Sequence, residues 1–285
     1  MKILESVAPL AESHDGFVLD IWGVLHDGAQ PYPGVPEALR ELRARGKRIV
    51  LLSNAPRRSW FVAKQLEGMG LGGEFFDGIV TSGEVAWTLL RDKTHPWFSR
   101  LGQRAFHIGP ERDLSVIEGL GITLAKHPAE ADFLLNTGPE PERGPQSVEP
   151  YRAELTACAA AGLPMLCTNP DRAVMVSGQK LICAGALADV YLALGGDVLE
   201  IGKPDAMVYE TVLATLALPK DRIVAIGDTP HTDLAGAEGV GIAAVWALTG
   251  LAGNHFGPNP APEALAAEAR QEGVKPLAAL RSLRW

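Results

Sequence analysis

The sequence predicts an α/β protein, a doubly wound parallel sheet interrupted by an inserted α/β segment. Three observations carry this expectation. Short apolar runs at residues 17–20, 49–52 and 79–81 alternate with helical stretches. Runs of that length, apolar without alternation, suit strands buried on both faces, as in parallel sheets. The same alternation resumes at 198–201, 223–226 and 242–246, and residues 84–197 between the two halves carry strand and helix candidates of their own. That insert has the size of an independent domain. The expected division is a core of residues 1–83 and 198–285 with an inserted cap of residues 84–197.

Each element has its own local reason. The run 17–20 ends on Asp20, with a glycine turn just beyond it. Pro33-Gly34 opens a helix in which Val35, Ala38, Leu39 and Leu42 keep helical spacing. Gly46 stops it after the basic Arg43 and Arg45. The strand 49–52 ends at Ser53-Asn54, a helix follows over 58–69, and a third strand covers 79–81. Within the insert, 105–108, 133–136 and 165–168 read as strands, 151–161 as a helix, and the Pro-rich 139–150 as a loop. The run 198–201 leads into Gly202-Lys203-Pro204, 207–216 reads as a helix, and 223–226 ends on Gly227-Asp228. The tail, 250–285, holds a loop (253–262) and a helix (263–272), packs on the core and carries no evident chemistry.

Composition narrows the function classes. The chain has 285 residues and a formal net charge of -8, which argues against nucleic acid as a general partner. The start has no apolar core of a signal peptide, and no run approaches the roughly 18 apolar residues of a membrane span. A cytoplasmic protein without a membrane partner is expected. Cys158, Cys167 and Cys183 lack close metal-ligand spacing, and their odd number suits free thiols used as small core residues.

Four strand-end sites carry the chemistry: Asp20; Ser53-Asn54; Lys203 in Ile-Gly-Lys-Pro-Asp; and Asp228 with Asp233 in Gly-Asp-Thr-Pro-His-Thr-Asp. Any one alone is weak, since Gly-Asp is common in turns; their ordered recurrence is specific. The set resembles the haloacid-dehalogenase superfamily of phosphotransferases and phosphatases. The runs Asp20 to Gly28, Ser53 to Arg58, Thr81 to Ala86, Thr168-Asn-Pro-Asp-Arg172 and Gly202-Lys-Pro204 look like its class IIA branch, which includes nitrophenyl-phosphate and ribonucleotide phosphatases. The resemblance implies a large α/β cap of the C2 type that closes over the site and chooses the leaving group. It implies that Asp20 is the nucleophile, forming an aspartyl-phosphate, and that Ser53 and Lys203 grip the phosphoryl oxygens. It also implies Mg²⁺ held by Asp20, the backbone carbonyl of Trp22, Asp228 and Asp233. Asn54 and the cap's Asn169, Asp171 and Arg172 become substrate contacts by the same resemblance. The partner is then a small phosphorylated metabolite, and a homodimer is compatible with the sequence.

Trp22 is the departure. In most phosphatases of that superfamily its position holds a second Asp, the general acid and base. An indole cannot exchange a catalytic proton, and such help is worth about 10²–10⁴ in rate. Three readings stay open: a substrate whose leaving group needs little protonation, such as an acyl or enol phosphate; a replacement acid, with His26 or His231 as candidates; or a phosphometabolite-binding protein without catalysis. Bland readings stand beside the sharp ones. His26 and His231 read as solvated loop residues, Trp22 as packing, Ser53 as a helix cap, and Asp233 as an acid favoured early in a helix. Arg57 and Arg58 face either an anionic ligand or water. A metal-independent dehalogenase also has an aromatic at the Trp22 position, but has no need of Asp228 and Asp233. No G-x-G-x-x-G, Walker loop or G-x-S-x-G elbow is present.

Overall fold

The computed structural model of the chain describes residues 1–176 and 179–285. Two parallel sheets organise it. The larger has seven strands in the order Ile3–Leu4, Ala278–Leu280, Ala243–Ala247, Ile223–Gly227, Gly16–Leu19, Arg48–Ser53, Gly78–Thr81. All of its neighbours pair in parallel. The strand Gly16–Leu19 sits where the winding reverses, with the strands of residues 48–81 on one side and those of residues 223–280 on the other. A crevice opens at such a point, at the carboxyl ends of the strands.

Alternation along these strands explains why they are apolar throughout. Phe17, Leu19, Ile49, Leu51, Val224 and Ile226 pack to one face, where the helices Val35–Ala44 and Ser59–Gly68 cover them. Val18, Val50, Leu52 and Ala225 pack to the other, under the helices Ala206–Leu216 and Pro262–Gln271. Both faces are therefore dry, and each fully buried Val, Leu or Ile contributes about 1.5–3 kcal/mol.

The smaller sheet has five parallel strands in the order Val198–Glu200, Met165–Cys167, Phe133–Asn136, Arg104–Ile108, Thr123–Leu124. The helices Arg152–Ala160 and Ala184–Ala193 cover one face with Leu155, Cys158, Leu187 and Tyr191. An antiparallel pair, Ala173–Val176 with Gln179–Ile182, stands apart from both sheets. Cys158, Cys167 and Cys183 are buried free thiols, and burial pushes each thiol pKa up. Among the described residues no helix is long and apolar enough to cross a membrane.

Three elements differ from the sequence reading. The run at 198–201 was expected in the larger sheet, but Val198–Glu200 hydrogen-bonds to Met165–Cys167 in the smaller one. A short apolar strand satisfies either ladder equally, so its composition does not choose between them. The expected loop at 253–262 begins instead as a helix, Gly250–Phe256. Gly250 and Gly253 disguise it, while burial of Ala252 and packing of Phe256 hold it on the core. Finally, the edge strand Ile3–Leu4 pairs with Ala278–Leu280 and joins the two ends of the chain, a long-range match that no local pattern announces.

Candidate active site

Three adjacent strands of the larger sheet deliver the oxygen-bearing groups. Asp20 follows Gly16–Leu19, and its N–H donates to the Ile226 carbonyl at 3.0 Å, tying it to the neighbouring strand. Ser53 ends Arg48–Ser53, and Asp228 follows Ile223–Gly227. The cation comes from elsewhere: Lys203 lies in the loop leaving Val198–Glu200 of the smaller sheet. Its ammonium donates to Asp20 Oδ1 at 2.7 Å, to Asp233 Oδ1 at 2.6 Å and to the Leu52 carbonyl at 3.3 Å. A wide turn, Pro230–Leu234, returns Asp233 to the strand end, where its Oδ2 accepts from the Thr229 N–H at 3.1 Å.

Asp228 is held by a cradle. Its Oδ1 accepts from Thr229 Oγ1 at 3.0 Å and its Oδ2 from the Leu251 N–H at 2.7 Å. Gly23 and Gly250 close on the same carboxylate: a Cβ at either would lie 2.2 and 2.0 Å from Asp228 Oδ2. Both also have positive φ, 84° and 56°, so two separate reasons call for glycine. The Thr249 hydroxyl fastens the arrangement by donating to the Gly23 carbonyl. Gly250 and Leu251 belong to the tail in which the sequence showed no chemistry. Only the through-space contact reveals their part.

Charge does not balance here. One oxygen each of Asp20, Asp228 and Asp233 falls within 4.8 Å of the others, all three residues are buried, and a single buried ammonium faces them. Burial pushes the Asp20 carboxyl well above its ordinary pKa despite the pull of Lys203. Burial, with the Asp233 charge, pushes Asp228 up to about 7. Burial works against the Lys203 ammonium, but Asp20 and Asp233 outweigh it and hold its pKa well above the ordinary range. Clustered hard oxygens with an uncompensated negative charge fit a divalent cation such as Mg²⁺. Among the described residues no donor meets the Trp22 carbonyl, which agrees with the same fit.

The other expected residues divide. Ser53 Oγ accepts from the Ala55 N–H at 3.2 Å, so it caps a turn rather than the helix, which starts only at Ser59. Asn54 is 4% exposed and its amide is fully engaged. Its Oδ1 accepts from the Lys203 N–H at 2.7 Å and from Ser82 Oγ at 3.4 Å. Its Nδ2 donates to Asp171 Oδ1 at 2.8 Å and to the Lys203 carbonyl at 3.4 Å. Asn54 therefore joins the lysine loop to the insert. Asn169 Oδ1 accepts from the Asp171 N–H at 3.0 Å and shapes that turn. Arg172 is directed to Asp189 and Glu200, in ion pairs of 2.7 and 3.1 Å. Arg57 lies 3.1 Å from the buried Asp113 of the insert, and Arg58 pairs with Glu84 at 2.7 Å.

His26 departs from its expectation as a solvated loop residue. It is 1% exposed, its Nδ1 accepts from the Gly28 N–H at 2.9 Å, and burial lowers its pKa to about 4. The Trp22 ring stands edge-on to it, centroids 5.1 Å apart, and presses on Gly28, where a Cβ would sit 2.5 Å from the indole. Trp22 is half-buried, whereas His231 is exposed. Both line the cavity of about 650 Å³ that also contains Asp20, Lys203, Asp228 and Asp233.

Comparison with known proteins agrees with this geometry. A family model described as haloacid dehalogenase-like hydrolase matches residues 17–123, and a HAD-hydrolase-like model matches residues 200–270. The chain is 28% identical to sugar-phosphatase AraL of Bacillus subtilis, over 84% of this chain and 87% of that protein. It is 27% identical to human chronophin, over 83% of this chain and 81% of that protein. A solved hydrolase of the haloacid dehalogenase-like family from Brucella suis superposes with a TM-score of 0.84 at 31% identity, covering 98% of this chain and 99% of that one. With the strand-end carboxylates and the lysine loop in one crevice, these matches place the chain in the haloacid dehalogenase-like hydrolase family, class IIA branch.

Proposed function

We propose that this chain is a Mg²⁺-dependent phosphohydrolase of a small phosphorylated metabolite, acting through an aspartyl-phosphate on Asp20. The observation that carries the reading is the Lys203 ammonium set between Asp20 and Asp233, with Asp228 alongside. The relatives named as phosphatases, among them sugar-phosphatase AraL and a human glycerol-3-phosphate phosphatase, support the substrate class.

Each residue then has a part. Asp20, the Trp22 carbonyl, Asp228 and Asp233 would hold Mg²⁺, which when bound supplies charge neutralisation for the phosphoryl oxygens. Lys203 shields the Asp20 charge from the incoming anion, and its contact with Asp20 aims the attacking oxygen. Ser53 offers its hydroxyl hydrogen to a phosphoryl oxygen while still accepting from Ala55. Asn54 keeps Lys203 in register and links it to Asp171 of the insert. We assign the insert, expected at residues 84–197 and extended to residue 200 by the strand Val198–Glu200, the role of a cap, meeting the core at Asn54–Asp171 and Arg57–Asp113. In this cap Asn169, Asp171 and Arg172 shape the cavity wall.

The test is a panel of phosphoesters and acyl phosphates assayed with and without Mg²⁺, with Asp20→Asn as control. Mg²⁺-dependent phosphate release that the control loses is the expected result. The second reading, a phosphometabolite-binding protein, is favoured by Trp22 alone. It gains if no substrate turns over while phosphorylated ligands raise the melting temperature.

A further inference from the structure

Hydrolysis through a carboxylate nucleophile requires proton management twice. In the first half Asp20 Oδ forms a bond to phosphorus and the bond to the leaving oxygen breaks, that oxygen keeping the electron pair. A poor leaving group needs a proton at this moment; an acyl or enol oxygen does not. In the second half water attacks phosphorus, the bond to Asp20 breaks with its pair returning to the carboxylate, and a proton of the water must pass to a base. A reactive substrate removes the first requirement. It does nothing for the second, because the leaving group has already gone.

The groups around the nucleophile are committed elsewhere. Both Asp228 oxygens accept hydrogen bonds, from Thr229 Oγ1 and the Leu251 N–H. Asp233 holds Lys203 with one oxygen and the Thr229 N–H with the other. Asp171 accepts from Asn54, and Asp113 lies against Arg57. His26 accepts from the Gly28 N–H through Nδ1, which leaves its proton on Nε2, and it is shut behind the Trp22 ring. Trp22 itself cannot take a proton, and Gly28 and His26 fix its ring against the cavity. The exposed imidazole of His231 is the remaining histidine lining the cavity among the described residues.

We infer that phospho-Asp20 is long-lived in this protein, which accepts a phosphoryl group from activated donors of the acyl or enol phosphate class faster than it passes that group to water. The inference rests on the phosphohydrolase reading and adds to it which half-reaction limits turnover.

The test uses the full chain with Mg²⁺ and acetyl phosphate or 4-nitrophenyl phosphate as probes, under rapid mixing. Intact-mass spectrometry reads the covalent state directly. The expected result is a burst of leaving group approaching one per chain, matched by a protein heavier by one phosphoryl group, labile to hydroxylamine and absent in Asp20→Asn. Trp22→Asp should abolish the burst and raise steady turnover by about 10²-fold or more, while Trp22→Phe should keep the burst. The wild-type mass measurement decides the matter even if the Asp variant does not fold. Steady turnover without accumulated phospho-protein overturns the inference, and its collapse in His231→Asn would identify that imidazole as the base. Neither leaving group nor labelled protein with any donor overturns the phosphohydrolase reading instead, and the inference with it.

Discussion

The two sheets end their parallel strands in polar residues, yet the two edges are chemically unlike. At the larger sheet, Asp20, Asp228 and Asp233 crowd around one ammonium with negative charge to spare. At the centre of the smaller sheet, past Phe133–Asn136, the buried groups Asn136 and Thr137 are neutral and matched. Asn136 Nδ2 donates to the Ala184 carbonyl at 2.9 Å, and its Oδ1 accepts from the Gly138 N–H at 3.2 Å. His107 meets Thr137 Oγ1 at 2.9 Å. One edge is satisfied by its own chain and serves as structure; the other asks for a cation. Parallel topology puts both in the same relation to their strands, so topology alone does not make a site. The difference lies in charge left uncompensated after folding.

Removing the ammonium should break this comparison most severely. Lys203→Met strips the larger edge of its compensation and leaves buried carboxylates facing one another. We expect phosphate release to fall by about 10²–10³-fold, and the metal-free protein to lose about 3–5 kcal/mol. Denaturant titrations with and without Mg²⁺ check the second part, because a bound cation should restore much of the loss. An unaltered metal-free stability would mean that the carboxylates are already neutral and that the edge has no excess charge.

The cradle gives a sharper test. Gly250→Ala drives a Cβ into Asp228 Oδ2 and places alanine at φ 56°, a conformation costing about 1–2 kcal/mol. Calorimetric titration should show Mg²⁺ affinity reduced by about tenfold or more, with a smaller loss of stability. Affinity equal to wild type would remove Asp228 from the ligand set.

What the sequence disclosed follows the same division. Asp20, Asp228 and Lys203 were readable because each closely follows a strand signal, Asp233 because it shares the motif of Asp228, and the fold brings these four together. Gly250 and Leu251 were not, since they reach Asp228 across more than twenty residues of chain. The sheet to which Val198–Glu200 belongs was hidden because short apolar strands look alike. Burial of His26 was hidden too, in a loop that polar neighbours made look solvated. The resemblance made Arg172 a substrate contact; it lines the cavity, and most of its guanidinium contacts are with Asp189 and Glu200, which local sequence does not connect to it.

On the smaller sheet, Asn136→Ala should be costly without touching function. It orphans the Gly138 N–H and takes from the Ala184 carbonyl the bond it accepts beyond its own helix, in a site 0% exposed, for about 1–3 kcal/mol. Mg²⁺ affinity should remain that of the wild type. A parallel loss of metal binding would show that the two edges are coupled rather than merely alike in topology.

The mildest contrast is in pH. Burial lowers the His107 pKa to about 4 from an ordinary 6.5, so this imidazole is neutral in the folded chain over the range where the unfolded chain protonates it. A depressed histidine pKa means that the unfolded state binds more protons between about pH 6.5 and 4, and stability falls as pH drops through that window. Because the ring is partly exposed, its share is roughly 1–2 kcal/mol by pH 4. The wild-type curve alone would not isolate it, since Asp20 and Asp228, with raised pKa values, contribute with the opposite sign between their unfolded values and neutrality. The difference between wild type and His107→Gln cancels those carboxylates, which remain in both proteins, while glutamine can still meet Thr137. Chemical denaturation at pH 7 and pH 4.5 should therefore show the wild type losing more stability on acidification than the variant. Equal losses would mean that His107 titrates normally, and that the smaller edge is more open to water than its hydrogen bonds suggest.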